Sequence, residues 1–238
     1  NGYDEEEFRG LRRSSNGAGK FRVVDTGLLS TKQDSASAIR IRIKRAFGLD
    51  YEPLDVGFDT RSPAYVLTAV ESLLDARPEL TSRLQLVFAG SFSDLDRQAF
   101  SEFRYPEALE ILESVPSEAA QQLCMDADLL LLLQVDMRRD GQEECLCIPG
   151  KLYNYLRTGR PILAALDSRD VAEVLRTTGG GTVVGPRDVD AIRNAIETTM
   201  DRKGEREQSV EPSRELLKYE RRALTRELAS IVRAVRTE

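Results

Sequence analysis

The chain alternates between short runs rich in valine and leucine and longer stretches whose apolar positions recur at helical spacing. Residues 21–26 read Phe-Arg-Val-Val-Asp-Thr and are stopped by Gly27, the pattern of a strand ending in a turn. From Arg61 onward the alternation is regular. Pro63 suits the first turn of a helix, and Tyr65, Leu67, Ala69, Val70, Leu73 and Leu74 give that helix a broad apolar stripe reaching about Ala76. The same reading predicts strands over 84–89, 109–112, 127–134, 161–166 and 182–184. Helices are predicted between them over 94–103, 117–125, 149–157, 169–177 and 188–200, with Ser117 as a candidate N-cap. Residues 127–134 are almost continuously apolar, the character of a central parallel strand buried on both faces.

Repeated strand-helix alternation implies right-handed crossovers, hence an α/β fold: a Rossmann-like parallel sheet of about six strands with helices on both faces. In such a sheet ligands bind beyond the carboxyl ends of the strands. The loops after Thr26, Ala89, Leu112, Gln134 and Leu166 are therefore expected to converge on one site. Residues 214–236 carry Leu216, Leu217, Ala223, Leu224, Leu228, Ile231, Val232 and Val235 at helical spacing, which predicts a long terminal helix packed by one face. A charged linker over 201–212 precedes it, so residues 1–204 read as one domain and 205–238 as linker plus terminal helix. Residues 30–57 interrupt the alternation. Within them Ile39-Arg-Ile-Arg-Ile-Lys44 reads as an edge strand or hairpin with its cations in water, or as a basic arm over the cleft or against an anionic membrane surface.

Composition narrows the chemistry. The 238 residues, 41% hydrophobic and 31% charged, suit one sizeable globular domain with a small appendage. No histidine is present, which removes imidazole general bases, Ser-His-Asp and Cys-His nucleophile systems and Cys2His2 zinc sites. A net charge of -6 argues against a nucleic-acid binder. No apolar run exceeds five residues, far below the roughly 20 needed to cross a bilayer, and no signal peptide opens the chain. Cys124, Cys145 and Cys147 are too few and too oddly numbered for a disulfide framework, which points to a reducing cytoplasm. Because the chain starts at Asn1, a processed protein or a piece of a longer one is expected.

No Walker A motif occurs, and Gly179-Gly-Gly181 lacks dinucleotide-fingerprint spacing. The informative stretch is Cys147-Ile-Pro-Gly-Lys-Leu-Tyr-Asn-Tyr-Leu-Arg-Thr-Gly-Arg-Pro-Ile-Leu163. Its Pro-Gly entry into a helix offers free backbone N–H groups to an anion, and Lys151, the sole lysine between Lys44 and Lys203, adds a full charge. Pro149 to Leu163 resembles the nucleotide-sugar-binding C-terminal domain of GT-B glycosyltransferases of the group-one, or family-four, type. Other segments are similar in the same order: Asn1-Gly-Tyr-Asp4 with Phe8, Thr26-Gly27, Arg61-Ser-Pro63, Leu86-Val-Phe-Ala-Gly90, Val115-Pro-Ser-Glu118, Ala127-Asp-Leu-Leu-Leu-Leu132 and Tyr219-Glu-Arg-Arg-Ala223.

The resemblance implies a domain that holds a nucleoside-diphosphate sugar as donor substrate, with no metal and no cofactor. A separate N-terminal domain would bind the saccharide or lipid-linked acceptor. It implies that Gly27, Arg61, Gly150, Lys151 and Leu152 meet the diphosphate, while Gly90, Val115, Pro116 and Asn154 meet base and ribose. The family's paired glutamates fall here on Leu146 and Asn154, with Glu143 or Glu144 as neighbouring substitutes, and no catalytic residue is assigned. The expected function is sugar transfer in polysaccharide biosynthesis, in the cytoplasm or peripheral to the inner face of the membrane, the chain alone being inactive. The alternatives are a non-catalytic GT-B-like interaction module with a decayed site and an epimerase-like sugar-nucleotide domain.

Overall fold

The computed structural model describes residues 2–14, 19–29, 58–134, 148–202 and 214–235. The 30–57 segment, the Cys145-x-Cys147 pair, Glu143, Glu144, Leu146 and most of the 201–212 linker lie outside them.

Six strands form one all-parallel sheet: β1 (Phe21–Leu28), β2 (Leu84–Ser91), β3 (Leu109–Glu113), β4 (Leu129–Leu133), β5 (Ile162–Ala165) and β6 (Gly181–Val184). Between them run α1 (Ala64–Ala76), α2 (Asp94–Glu102), α3 (Ser117–Asp126), α4 (Lys151–Arg157) and α5 (Arg169–Thr178), and after β6 come α6 (Val189–Asp201) and a terminal α7 (Arg221–Val235). Every strand anticipated from 21 onward among these residues is present within two residues of its expected bounds. The spatial order is β3-β2-β1-β4-β5-β6. Succession therefore runs one way from β1 to β3 and the other way from β4 to β6. Right-handed crossovers then send α1 and α2 to one face and α3, α4 and α5 to the other, with α6 returning to the first. The reversal between β1 and β4 leaves a crevice at their carboxyl ends, where open α/β sheets bind ligands.

The five leucines of β4 show why this strand is central. Leu129, Leu131 and Leu133 point into the core under α1 and α6, whereas Leu130 and Leu132 point into the core under α4 and α5; all five are buried. Alternate side chains leave opposite faces of a strand, so a continuous apolar run is what a doubly covered strand needs. Leu131→Ala removes contacts from a position 1% exposed and is expected to cost about 2–5 kcal/mol, read as a lowered urea midpoint.

Two local expectations are corrected. Ser117 is not a cap: Pro116 occupies that position, no side chain caps α3, and Ser117 is already helical. The terminal segment is not one helix packed along its length. It is a 3-10 stretch, Arg214–Tyr219, followed by α7, in which no residue is fully buried. The break coincides with a contact from the amino-terminal segment. Tyr3, 1% exposed, bridges to Glu220: its N–H donates to the Tyr219 carbonyl (3.1 Å) and its carbonyl accepts from Arg221 N–H (2.9 Å). Asp4 caps the next turn by accepting from Glu6 N–H at 3.0 Å, Phe8 is buried, and Arg157 binds Glu5. The opening Gly-Tyr-Asp and the terminal Tyr-Glu-Arg are thus two halves of one contact. Beyond it, Leu228, Ile231, Val232 and Val235 of α7 are 50–69% exposed. No described helix is long and apolar enough to cross a membrane.

Candidate functional site

The crevice between β1 and β4 gathers most of the residues singled out by sequence. Gly27 and Gly90 are the penultimate residues of β1 and β2, so Gly27 does not stop its strand as expected; they are register partners, both at positive φ (+112° and +154°). At Gly27 a Cβ would meet nothing within 4 Å among the described residues, so these leave its backbone uncovered. Gly90 is held instead by crowding: its Cβ would lie 1.8 Å from the Gly27 carbonyl oxygen. Its own carbonyl accepts from Ser114 N–H (3.3 Å), which ties Val115 and Pro116 to the same edge. Arg61 ends a 3-10 turn just before α1 and is partly buried.

Lys151 begins α4, with Gly150 at the cap position. Its ammonium reaches under the end of β1, donating to Asp25 Oδ2 at 2.7 Å and approaching the Thr26 carbonyl at 3.4 Å. Asp25 was not anticipated. Its only signal in the sequence is a carboxylate inside an apolar strand, where neither face offers solvent and a partner is obligatory. It is 2% exposed, and burial pushes its carboxyl above the ordinary range, opposed first by Lys151 and then by Arg61. Around this pair, Thr26 N–H donates to the Tyr155 hydroxyl (3.0 Å), and the Thr26 hydroxyl lies 3.2 Å from it and 3.6 Å from Cys124 Sγ. Burial raises the Tyr155 phenol far above its usual value and pushes the Cys124 thiol up to about 11, so both stay neutral.

The backbone contribution of α4 is smaller than its Pro-Gly entry implies. It has a single cap residue without a side-chain cap bond, and Leu152 N–H donates to the Pro149 carbonyl at 3.1 Å. Leu152 is fully buried and serves packing. Among the described residues, positive charge in the crevice therefore rests on Lys151 and Arg61. Asn154, one turn further along α4, has a buried Oδ1 without a hydrogen-bond partner among the described residues. A buried acceptor in that state favours a donor from outside the described residues. The described residues contain no His, Cys, Asp and Glu cluster suited to a metal ion.

No family model matches the chain, and no curated protein is similar to it in sequence. Similarity emerges in structure. HepE of Anabaena in complex with UDP-glucose superposes with a TM-score of 0.58 at 13% identity, covering 98% of this chain and 56% of that one. A UDP-forming α,α-trehalose-phosphate synthase from Burkholderia vietnamiensis gives 0.57 at 11% identity, over 91% of this chain and 44% of that one. S. aureus MnaA bound to UDP gives 0.52 at 13%, covering 92% and 45%. The chain spans about half the length of these proteins. At such identities the likeness concerns fold alone, and it groups this six-stranded parallel sheet with the domains of GT-B-type proteins.

Proposed function

We propose that this chain is the donor-binding half of a glycosyltransferase, similar to the C-terminal domain of the group-one type. It would serve transfer of a sugar from a nucleoside-diphosphate sugar to a saccharide or lipid-linked acceptor bound by another domain. The observation that carries the reading is Lys151 anchored beneath the open Gly27 backbone at the point where strand order reverses. A diphosphate seated there meets the ammonium of Lys151 and the guanidinium of Arg61, with Gly27 allowing close approach. Charge that develops on a departing diphosphate is then met by groups already in position, without water reorganising. Gly90, Val115 and Pro116 would flank the base, and a ribose hydroxyl would satisfy Asn154 Oδ1. HepE with UDP-glucose and MnaA with UDP, both of this fold, are consistent with the ligand class.

Calorimetry with UDP, GDP and the free nucleosides tests the reading. The expected outcome is a Kd of about 1 mM or tighter, about -4 kcal/mol or better, for at least one diphosphate and much weaker binding of its nucleoside. No heat from either diphosphate at millimolar concentration would sink it in favour of a non-catalytic module. A candidate UDP-N-acetylglucosamine 2-epimerase from Listeria monocytogenes also shares the fold, with a TM-score of 0.50. An epimerase role is separated by incubating a nucleotide sugar with a longer chain containing both halves: interconversion without release of diphosphate favours it over transfer.

A further inference from the structure

The Gly159-Arg-Pro-Ile-Leu163 end of the informative motif lies far from the crevice. Arg160 sits at the amino end of β5, on the opposite edge of the sheet, where a cavity of about 500 Å³ opens among the first residues of β1, β4, β5 and β6. Its apolar wall includes Phe21 and Leu163, 4% and 1% exposed, both on the face covered by α6. Three arginines line it, Arg13, Arg160 and Arg202, against one carboxylate, Asp128. Asp128 is already engaged: it accepts from Arg13 Nη2 at 2.7 Å and from Arg22 N–H at 2.9 Å.

Arg160 is the exception among the arginines with a buried Nε lacking a partner. Arg22 and Arg193 use their other nitrogens, on Glu110 and on Ser72 and Asn194. The Arg160 side chain makes no hydrogen bond or ion pair among the described residues. Burial and the neighbouring charge of Arg13 both disfavour its cationic form, with Asp128 and Asp126 opposing them. A guanidinium cannot shed its proton to escape that cost, and its planar array of N–H donors matches an oxyanion.

We infer that this cavity is a second ligand site, distinct from the crevice, for a small organic oxyanion whose apolar body rests on Phe21 and Leu163 and whose phosphate or carboxylate head takes the guanidinium of Arg160. This does not depend on the nucleotide reading of the crevice. Arg202 at the rim adds charge, and Asp128, held by Arg13 and Arg22, leaves Arg160 as the principal anchor.

The test is titration of the ¹⁵N-labelled chain with phenyl phosphate, benzoate, inorganic phosphate and neutral benzyl alcohol, followed by amide shifts. Phenyl phosphate or benzoate is expected to give saturable shifts at Ile162, Gly181 and Ala195, at least tenfold tighter than inorganic phosphate or benzyl alcohol. Whichever of the two binds tighter tells a phosphate site from a carboxylate site. Arg160→Gln is expected to weaken that affinity at least tenfold, and Arg202→Gln, at an exposed position, severalfold. Shifts confined to Thr26, Gly27 and Lys151, no saturable shift at all, or unchanged affinity in both variants would overturn the assignment. If Arg160→Gln fails to fold, Arg202→Gln and the neutral alcohol decide.

Discussion

Gly90→Ala is expected to cost at least about 3 kcal/mol, above the strain of an unfavourable backbone conformation alone. Two penalties coincide there. The φ of +154° lies where side chains are rarely tolerated, and the new Cβ would sit 1.8 Å from the carbonyl oxygen of Gly27. That oxygen belongs to the paired neighbouring strand, so relief requires parting β1 from β2 at their carboxyl ends. Gly27→Ala is the internal control. Its φ of +112° is also unfavourable, but the added atom meets nothing among the described residues, leaving about 1–3 kcal/mol of conformational strain. Urea unfolding of both variants checks the difference. An equal or smaller loss at Gly90 would mean that the two strand ends are not in the close contact described.

Lys151→Ala is expected to have two separable effects. Loss of a charged donor weakens binding of a nucleoside diphosphate by about 1–3 kcal/mol, roughly 5- to 150-fold. It also strands the Asp25 carboxylate, 2% exposed, without its 2.7 Å partner, and breaking a buried pair from one side costs about 3–5 kcal/mol. The pH dependence has a definite sign. Asp25 titrates above its unfolded value because burial outweighs Lys151, so the native state holds the extra proton. Its contribution to stability is full below the unfolded pKa and is lost as pH rises toward the folded one. Removing Lys151 raises that upper limit further. The stability gap between wild type and variant is therefore expected to widen from pH 4 to pH 7. Adding Asp25→Asn to Lys151→Ala is expected to recover stability without recovering diphosphate affinity. Simultaneous recovery of both would show that Lys151 acts only through Asp25. Arg61→Ala is expected to weaken the same ligand by a similar 1–3 kcal/mol.

The elements were legible because each is written locally. The five leucines of 129–133 require a doubly covered strand, and the stripe from Tyr65 to Leu74 requires a helix with one buried side. What was not legible depends on residues far apart in sequence. The spacing of apolar positions across 214–236 is the same for one helix as for two, and the division at Glu220 coincides with a contact from Tyr3, more than two hundred residues earlier. The outward apolar stripe of α7 likewise satisfies helical periodicity without indicating how much of it is covered. At the crevice, the glycines and cations could be singled out as candidates because their positions after strands are conspicuous. The carboxylate that pairs with Lys151 was missed because the partners are 126 residues apart. The Leu152 amide was overvalued because a Pro-Gly entry does not reveal that the turn uses that N–H itself.

The most direct test is a crystal structure of the chain grown or soaked with the nucleoside diphosphate that binds in calorimetry. The expected result is diphosphate oxygens at hydrogen-bonding distance, about 2.7–3.2 Å, from Lys151 Nζ, lying over Gly27 with the base toward Gly90 and Val115. A nucleotide bound elsewhere, or a crevice in which Lys151 keeps Asp25 as its sole partner at saturating nucleotide, would contradict the assignment of this edge as a donor site.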